Sequence, residues 1–420
     1  MSRVEEMYRL AKEVYASYGV DTDAAMKRID AIPLSIHAWQ GDDVRGFEND
    51  IHSLTGGCQV TGNYPGCART AYELMQDLDT AMKLIPGEKL RVCLQAHEVD
   101  KILPGQDRDT FSIDNYRGWL DWAADRKLGM DIAPVYYSHP KLKDGLSLSH
   151  PDPEIRKFWI EHGKGSRRVA AEFGKRLGTP SVCNVWVPDG FKDVPADRLA
   201  PRERLRESLD ATFAENLPEE YVLDAVESKL FGIGVECYTV GSHDFYLTYA
   251  AKHNKLICLD TGHFHPTESI ADKLSSICCQ GGRILLHVSR GVRWDSDHVI
   301  LLDDPLLDLA KEAVKNDNGK NIFYTLDFFD ASINRLMAWV IGSRNWQKAT
   351  LIALLDPDKQ AREAEYAGDF TARMAYKEAV KSLPWGAVWE YYCESRNVPT
   401  DANVLAPIRK YEKDVLLARG

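Results

Sequence analysis

The chain has 420 residues, 44% hydrophobic and 27% charged, a size and make-up that suit a folded protein with one barrel-sized domain or two ordinary ones. Its 52 Lys and Arg against 63 Asp and Glu leave a formal charge of −11, which argues against nucleic-acid and anionic-membrane partners. No apolar run is long enough to span a bilayer, and the amphipathic N-terminus lacks the apolar stretch of a signal peptide.

Residues 3–17 are predicted helical, with Val4, Met7, Tyr8, Leu10, Ala11 and Val14 on one face. Residues 32–39 then make a first strand that carries His37 and Trp39 to its end. The stretch 40–67 has the length of a lid or subunit-contact loop, and no Walker lysine follows its glycines. From there the chain alternates. Helix 70–84 precedes strand 90–96, and a helix bearing Trp119 and Trp122 precedes strand 130–137. Helix 153–177 precedes strand 181–187, and helix 202–214 precedes strand 221–227. Helix 244–252 precedes strand 256–260, helix 267–278 precedes a strand from 284, and helix 301–315 precedes strand 321–327. Eight apolar strands separated by helices predict an α/β fold, a (β/α)8 TIM barrel. A doubly wound open sheet is the alternative, and no Gly-rich dinucleotide turn supports it.

Helices at 331–355, 359–382, 385–394 and 404–417 follow, so the expected domains are a barrel over 1–330 and an all-helical C-terminal extension over 331–420, packing on the barrel or on a neighbouring subunit. The nine cysteines form no C-x-x-C pair and several sit in apolar runs, which suggests reduced thiols and a cytoplasmic location.

In a barrel of this class the C-terminal strand ends carry the active site. Here strand five ends in Glu227 with Lys229 beyond it. Strand six ends in Asp260, followed by His263 and His265. Strand seven ends in His287, with Asp295 and Asp297 just after, and strand eight ends in Asp327. Carboxylates and imidazoles on four consecutive strand ends predict a metal centre, and hard oxygen ligands beside imidazole suit Mn²⁺, Mg²⁺, Co²⁺ or Zn²⁺. Glu227, Asp260, His287 and Asp327 are grouped as one site. His263, Asp295 and Asp297 make a second, with Asp260 bridging. Lys229 shares the face of Glu227 on a regular strand; it either polarises a carbonyl in the cavity or balances the carboxylates. His265, before Pro266, is expected to be structural. Trp39, Tyr136, Tyr137 and Trp186 offer aromatic faces for sugar C–H groups, with His37, His97 and Asp189 as polar groups. The bland reading of those aromatics is outer-core packing.

With these residues in view the chain resembles the L-rhamnose isomerase family. The resemblance is carried by Ile36-His37-Ala38-Trp39-Gln40-Gly41-Asp42-Asp43, Thr61-Gly62-Asn63-Tyr64-Pro65-Gly66, Asp224-Ala225-Val226-Glu227-Ser228-Lys229, Gly262-His263-Phe264-His265-Pro266, Val292-Arg293-Trp294-Asp295-Ser296-Asp297-His298 and Leu326-Asp327-Phe328-Phe329-Asp330, strings spread over most of the chain. It implies an aldose–ketose isomerase of L-rhamnose catabolism that converts L-rhamnose to L-rhamnulose. It also implies Mn²⁺ as usual activator, two divalent sites per subunit and a cytoplasmic homotetramer. Glu227, Asp260, His287 and Asp327 fall on the family's structural metal positions, and His263, Asp295 and Asp297 on its catalytic ones. Lys229 matches a substrate-site lysine, and Trp186 a platform residue. Asp327 and a water are the expected movers of the hydroxyl proton, and the hydrogen passes between C1 and C2 by hydride shift or through a cis-enediol. One departure stands out: where the family is expected to carry Leu-His-Ala, this chain has Leu94-Gln95-Ala96. His97 shares the face of Gln95 on a regular strand, so it substitutes for that imidazole if the strand continues that far.

Three readings compete. One is an isomerase of another aldose such as L-mannose, L-lyxose or D-allose. A second is a metal-dependent hydrolase on the same barrel, for example a nuclease, which the acidic charge opposes. The third is a sugar-binding protein without catalysis, which would have no need of so many metal ligands.

Overall fold

The computed structural model describes residues 2–48, 60–229, 237–292 and 297–419. Eight parallel strands close a barrel: β1 (Leu34–His37), β2 (Leu90–Gln95), β3 (Gly129–Ala133), β4 (Ser181–Trp186), β5 (Val222–Glu227), β6 (Leu256–Asp260), β7 (Arg283–Val288) and β8 (Ile322–Leu326). Each strand pairs with its sequence neighbours, and Ser35 opposite Thr325 closes β1 on β8. The strands are almost wholly buried, as parallel strands covered by helices must be, which is why they read as continuous apolar runs. The predicted (β/α)8 barrel is the fold observed.

Side-chain parity decides what points inward. Val182 on β4, Leu223 and Ala225 on β5, Leu256 and Cys258 on β6, and Leu285 on β7 form one apolar cluster inside the barrel. Two residues further along each strand, the same parity brings Asn184, Glu227, Asp260 and His287 inward above that layer. Toward the opposite end of the barrel, Arg91 forms an ion pair with Asp131 at 2.7 Å, and Ser35 donates to the same carboxylate at 2.7 Å.

The outer helices follow the predicted alternation. Their labels run α1 (Arg3–Ser17), α2 (Thr22–Ala31), α3 (Ala71–Met82), α4 (Arg117–Arg126), α5 (Pro153–Leu177), α6 (Leu199–Thr212), α7 (His243–His253), α8 (Ala271–Cys278) and α9 (Asp304–Asn316). Asp152 caps α5, Pro153 opens it, and Gly178 ends it at φ +69°, a left-handed C-cap that glycine adopts without steric cost. After β8 come α10 (Arg335–Leu354), α11 (Lys359–Tyr366), α12 (Phe370–Ala379), α13 (Trp385–Ser395) and α14 (Leu405–Asp414). No helix among the described residues is long and apolar enough to cross a membrane. The eight described cysteines are all free thiols.

Four local expectations need correction. The first strand stops at His37, and Trp39–Asp42 forms a helical turn. Asp43 and Val44 then adopt positive φ and reverse the chain at the barrel mouth. The third strand stops at Ala133 because Pro134 has no N–H to give a ladder. The helix expected over 359–382 is two helices, broken at Gly368 (φ +74°), with Asp369 capping the second. Helix α2 has no counterpart in the predicted elements. Asp21 caps it, and its buried Ala25, Met26 and Ile29 are too few to show a helical period.

Candidate active site

The C-terminal ends of β5 to β8 form a contiguous arc of the barrel mouth, and the inward residues of that arc converge. Ligand atoms of Glu227, Asp260, His287 and Asp327 lie within 4.8 Å of one another, and so do those of Asp260, His263 and Asp297. Asp260 belongs to both groups. The polypeptide supports each residue closely. His287 Nδ1 lies 2.9 Å from Asp327 Oδ2 and 3.4 Å from Glu227 Oε2. The Trp39 indole N–H donates to Asp327 Oδ1 at 3.0 Å. His263 Nδ1 lies 2.9 Å from Glu227 Oε1 and 3.1 Å from the Ser228 carbonyl. Gly262 N–H at 2.6 Å and Ser289 Oγ at 3.1 Å both donate to Asp260 Oδ1.

These carboxyl groups and imidazoles perturb one another. Burial opposes the charged form of Glu227, yet the His287 and His263 charges overcome it and hold its carboxyl well below the usual range. Burial, with Asp297, Asp327 and Glu227 nearby, pushes Asp260 well up. Burial disfavours the His263 cation, but Asp260 and Glu227 raise its pKa to about 10. The carboxylates therefore favour the charged form of both imidazoles.

The residues fit a divalent cation. Asp260 Oδ2 is buried without a hydrogen-bond partner, while Oδ1 is fully engaged. A carboxylate oxygen left bare in the interior is costly unless a cation meets it. The donors are hard oxygens and imidazole nitrogens, as Mn²⁺, Mg²⁺, Co²⁺ and Zn²⁺ accept. Cys258 also approaches Glu227 and His287, but burial pushes its thiol up and keeps it protonated. A Cβ at Gly262 would strike Asp297 Oδ1 and crowd Ser289 Oγ at 2.9 Å, so a side chain there would displace both groups.

Beside this cluster opens a cavity of about 500 Å³, reached by Glu227, His263, His287, Asp297, Asp327 and Lys229. Trp39, Val44, Val135, Tyr137, Trp186 and Phe329 make its apolar wall. The Lys229 ammonium lies 4.8 Å from the centre of the Trp186 ring, a cation–π contact that steers its charge toward the cavity. Trp186 also stacks on His263, at 6.1 Å between centroids.

Several sequence expectations fall elsewhere. Asp295 lies outside the described residues. His37, Tyr136 and Asp189 do not line the cavity. His37 Nε2 bonds to the Phe328 carbonyl behind Trp39. Asp189 accepts from the backbone N–H and hydroxyl of both Ser147 and Ser149, so it staples a loop. His97 does not replace an imidazole at the end of β2. That strand ends at Gln95, where Glu98 N–H closes a turn on the Gln95 carbonyl at 2.8 Å. His97 turns instead against Gly46 and the edge of Tyr137. His265 does not line the cavity either, and its Nδ1 lies 2.7 Å from Thr267 Oγ1.

The residue missed by sequence reasoning is Asn184. Its amide donates to Glu227 Oε2 at 2.5 Å and lies 3.4 Å from His287 Nε2, and it lines the cavity. Inward parity two residues past Val182 was the signal available for it.

Fold and site together define a barrel enzyme whose mouth carries two groups of side chains able to hold divalent cations, beside a small, aromatic-walled cavity. The model of one family, described as L-rhamnose isomerase (RhaA), matches residues 2–419. An L-rhamnose isomerase of Cronobacter sakazakii is 54% identical over 418 residues, covering 100% of both chains. One of Salmonella paratyphi B is 53% identical over 419 residues, again covering 100% of both. Among solved structures, a D-allulose 3-epimerase from Methylomonas sp. superposes at TM-score 0.44 with 12% identity, over 76% of this chain and 96% of its own. The chain belongs to the L-rhamnose isomerase family.

Proposed function

We propose that the protein interconverts L-rhamnose and L-rhamnulose with the help of divalent cations, Mn²⁺ being the expected activator. The observation that carries the reading is the pair of ligand groups sharing Asp260 at the rim of a cavity of about 500 Å³, a volume that suits one monosaccharide. Glu227, Asp260, His287 and Asp327 would hold a structural ion, and His263, Asp295 and Asp297 a catalytic one. A bound cation supplies Lewis-acid polarisation of vicinal sugar oxygens and a template for them.

The chain's own groups do the rest. Trp39 and Trp186 present apolar faces to the sugar and keep water out. Lys229 brings a positive charge to the oxygen that gains negative charge as hydrogen moves between C1 and C2. Asp327, whose oxygens meet His287 and Trp39, would take and return the hydroxyl proton. The test is turnover of L-rhamnose by metal-stripped protein, with and without added Mn²⁺, followed by NMR in D₂O. Ketose should appear with the metal alone, and its absence under both conditions sinks the reading. Little deuterium at C1 or C2 favours a hydride shift, and extensive exchange favours the enediol.

Asn184 should act as a positioning residue for Glu227. Asn184→Ala is expected to weaken Mn²⁺ binding by roughly ten- to a hundredfold, the usual cost of losing a partner that orients a ligand. Titration calorimetry of the metal measures it, and unchanged affinity would assign the amide to the cavity alone.

We take residues 1–330 as the catalytic barrel and 331–420 as the extension that joins subunits into a homotetramer in the cytoplasm. Helices α11 and α12 support this, since neither has a buried residue in the single chain. Tyr366 is 84% exposed, Phe370 59% and Met374 64%, an apolar display that a monomer seldom keeps. Phe370→Asp combined with Met374→Asp should shift the sedimentation coefficient toward smaller species. Unaltered sedimentation would remove the hairpin from the interface.

A further inference from the structure

One stretch of the cavity wall belongs to no strand or helix. Val60 packs on the cluster of Trp39, Val44, Val135 and Tyr137, and Thr61 next to it lines the cavity. Among the described residues, the hydrogen bonds of residues 61–66 all run to residues beyond 330. Tyr64 N–H donates to the Ala331 carbonyl at 2.7 Å, and Arg335 donates to the carbonyls of Tyr64 and Pro65. The Tyr64 hydroxyl donates to Glu412 Oε2 at 2.7 Å, and Arg419 donates to the Gly66 carbonyl at 3.2 Å.

The last two partners are themselves firmly fixed. Glu412, on α14, also accepts from Asn334 Nδ2 at 2.6 Å and from Arg409 at 2.9 Å. Arg419 is buried and forks onto Asp77 of α3 at 2.6 and 2.9 Å, a carboxylate that the Tyr411 hydroxyl also meets at 2.7 Å. Charge-assisted bonds of this kind are shorter and stronger than neutral ones. Leu416, 1% exposed, closes on Gly66 so tightly that a Cβ there would strike it. A segment with no ladder of its own takes its position from such anchors. Tyr64 lies only three residues from Thr61, so a shift at Tyr64 carries to the cavity wall.

We infer that Glu412 and Arg419 are positioning residues of the active site, a latch that sets Val60 and Thr61 against the substrate through residues 62–66. The inference rests on the proposed isomerase activity. The cation-ligand groups stand on β5 to β8 and are not part of the segment, so the latch should govern binding of the sugar rather than the chemical step. Tyr64→Phe and Glu412→Ala should each raise KM for L-rhamnose about three- to tenfold with kcat within about twofold of wild type, the pattern of lost uniform binding. The double variant should be no worse than Glu412→Ala alone, because both changes break one bond. Glu412→Gln keeps an oxygen that accepts from Tyr64 and should return KM to within about twofold of wild type. Arg419→Ala should raise KM in the same way. Lys410→Ala removes only an exposed pair with Asp414 on the same helix and should change nothing.

Thermal melting and bound-metal content of each variant, with rates taken well below the melting point, separate general destabilisation from a moved wall. Hydrogen–deuterium exchange at the Tyr64 amide gives a readout free of turnover, and it should quicken about threefold or more in Glu412→Ala as the segment opens more often. If Glu412→Ala does not fold, Tyr64→Phe carries the same test from the other end of the bond. An unchanged KM in the folded variants, a loss confined to kcat, or strict additivity in the double variant overturns the inference. A wild type inert toward L-rhamnose overturns the isomerase reading instead, and unchanged exchange at Tyr64 then overturns the latch as well.

Discussion

Asp260→Asn should reduce kcat/KM for L-rhamnose by about a thousandfold or more, with Mn²⁺ content falling alongside. The carboxylate belongs to both ligand groups, so its loss strikes both proposed cation sites at once. Lewis-acid stabilisation by a bound metal is worth several kcal/mol of barrier, and each ~1.4 kcal/mol is a factor of ten in rate. Asn keeps the shape of Asp and can still accept from Gly262 N–H and Ser289 Oγ, the two donors on Oδ1. What it replaces is the bare Oδ2, which becomes an amide NH₂ turned toward His263, His287 or a cation. The folded state should survive, because burial already disfavours the ionised form of Asp260 where no cation is bound. Metal analysis of the purified variant together with its steady-state rate checks the prediction. Full activity with full metal content would mean that the two groups are not the cation sites.

Arg335→Ala should cost about 3–5 kcal/mol of stability, the usual price when one partner of a buried ion pair is removed. Arg335 is 2% exposed and makes a two-pronged bond to Asp43, at 2.6 and 2.9 Å. It also donates to the Tyr64 carbonyl at 2.6 Å and the Pro65 carbonyl at 3.2 Å. One guanidinium on α10 thus ties down both ends of the stretch between Asp43 and Pro65. Asp43 would be left buried and uncompensated. Arg335→Lys keeps the charge but loses the fork, so an intermediate loss is expected. Urea denaturation followed by tryptophan fluorescence reads the difference in midpoint. Because Val44 lines the cavity next to Asp43, KM for the sugar should rise in both variants. A midpoint equal to wild type would show that the clamp contributes nothing.

Most of the barrel was legible because parallel strands covered on both faces must be apolar throughout, and each is flanked by an amphipathic helix of ordinary length. Helix α5 was readable to the residue, since Asp152, Pro153 and Gly178 mark its ends chemically. The single helix expected over 359–382 failed on Gly368, whose positive φ no pattern of apolar residues reveals. In the site, Glu227, Asp260, His287 and Asp327 were visible because an ionisable residue ending an apolar run is conspicuous. Asn184 was not, for it carries no charge and sits inside its strand. His97 was misplaced because parity holds only while a strand continues, and β2 ends at Gln95 in a turn that depends on Glu98.

By itself, then, the sequence determined the alternation of strands and helices, the polarity of the strand ends and the chemistry of the ligands. These are local properties, written in the period of apolar residues and in side-chain type. Only the tertiary structure decided that Asp260 belongs to two groups at once and that Trp39 leaves its strand to hold Asp327. Those relations depend on barrel closure and on where each strand stops, and both are set by contacts between residues far apart in the chain.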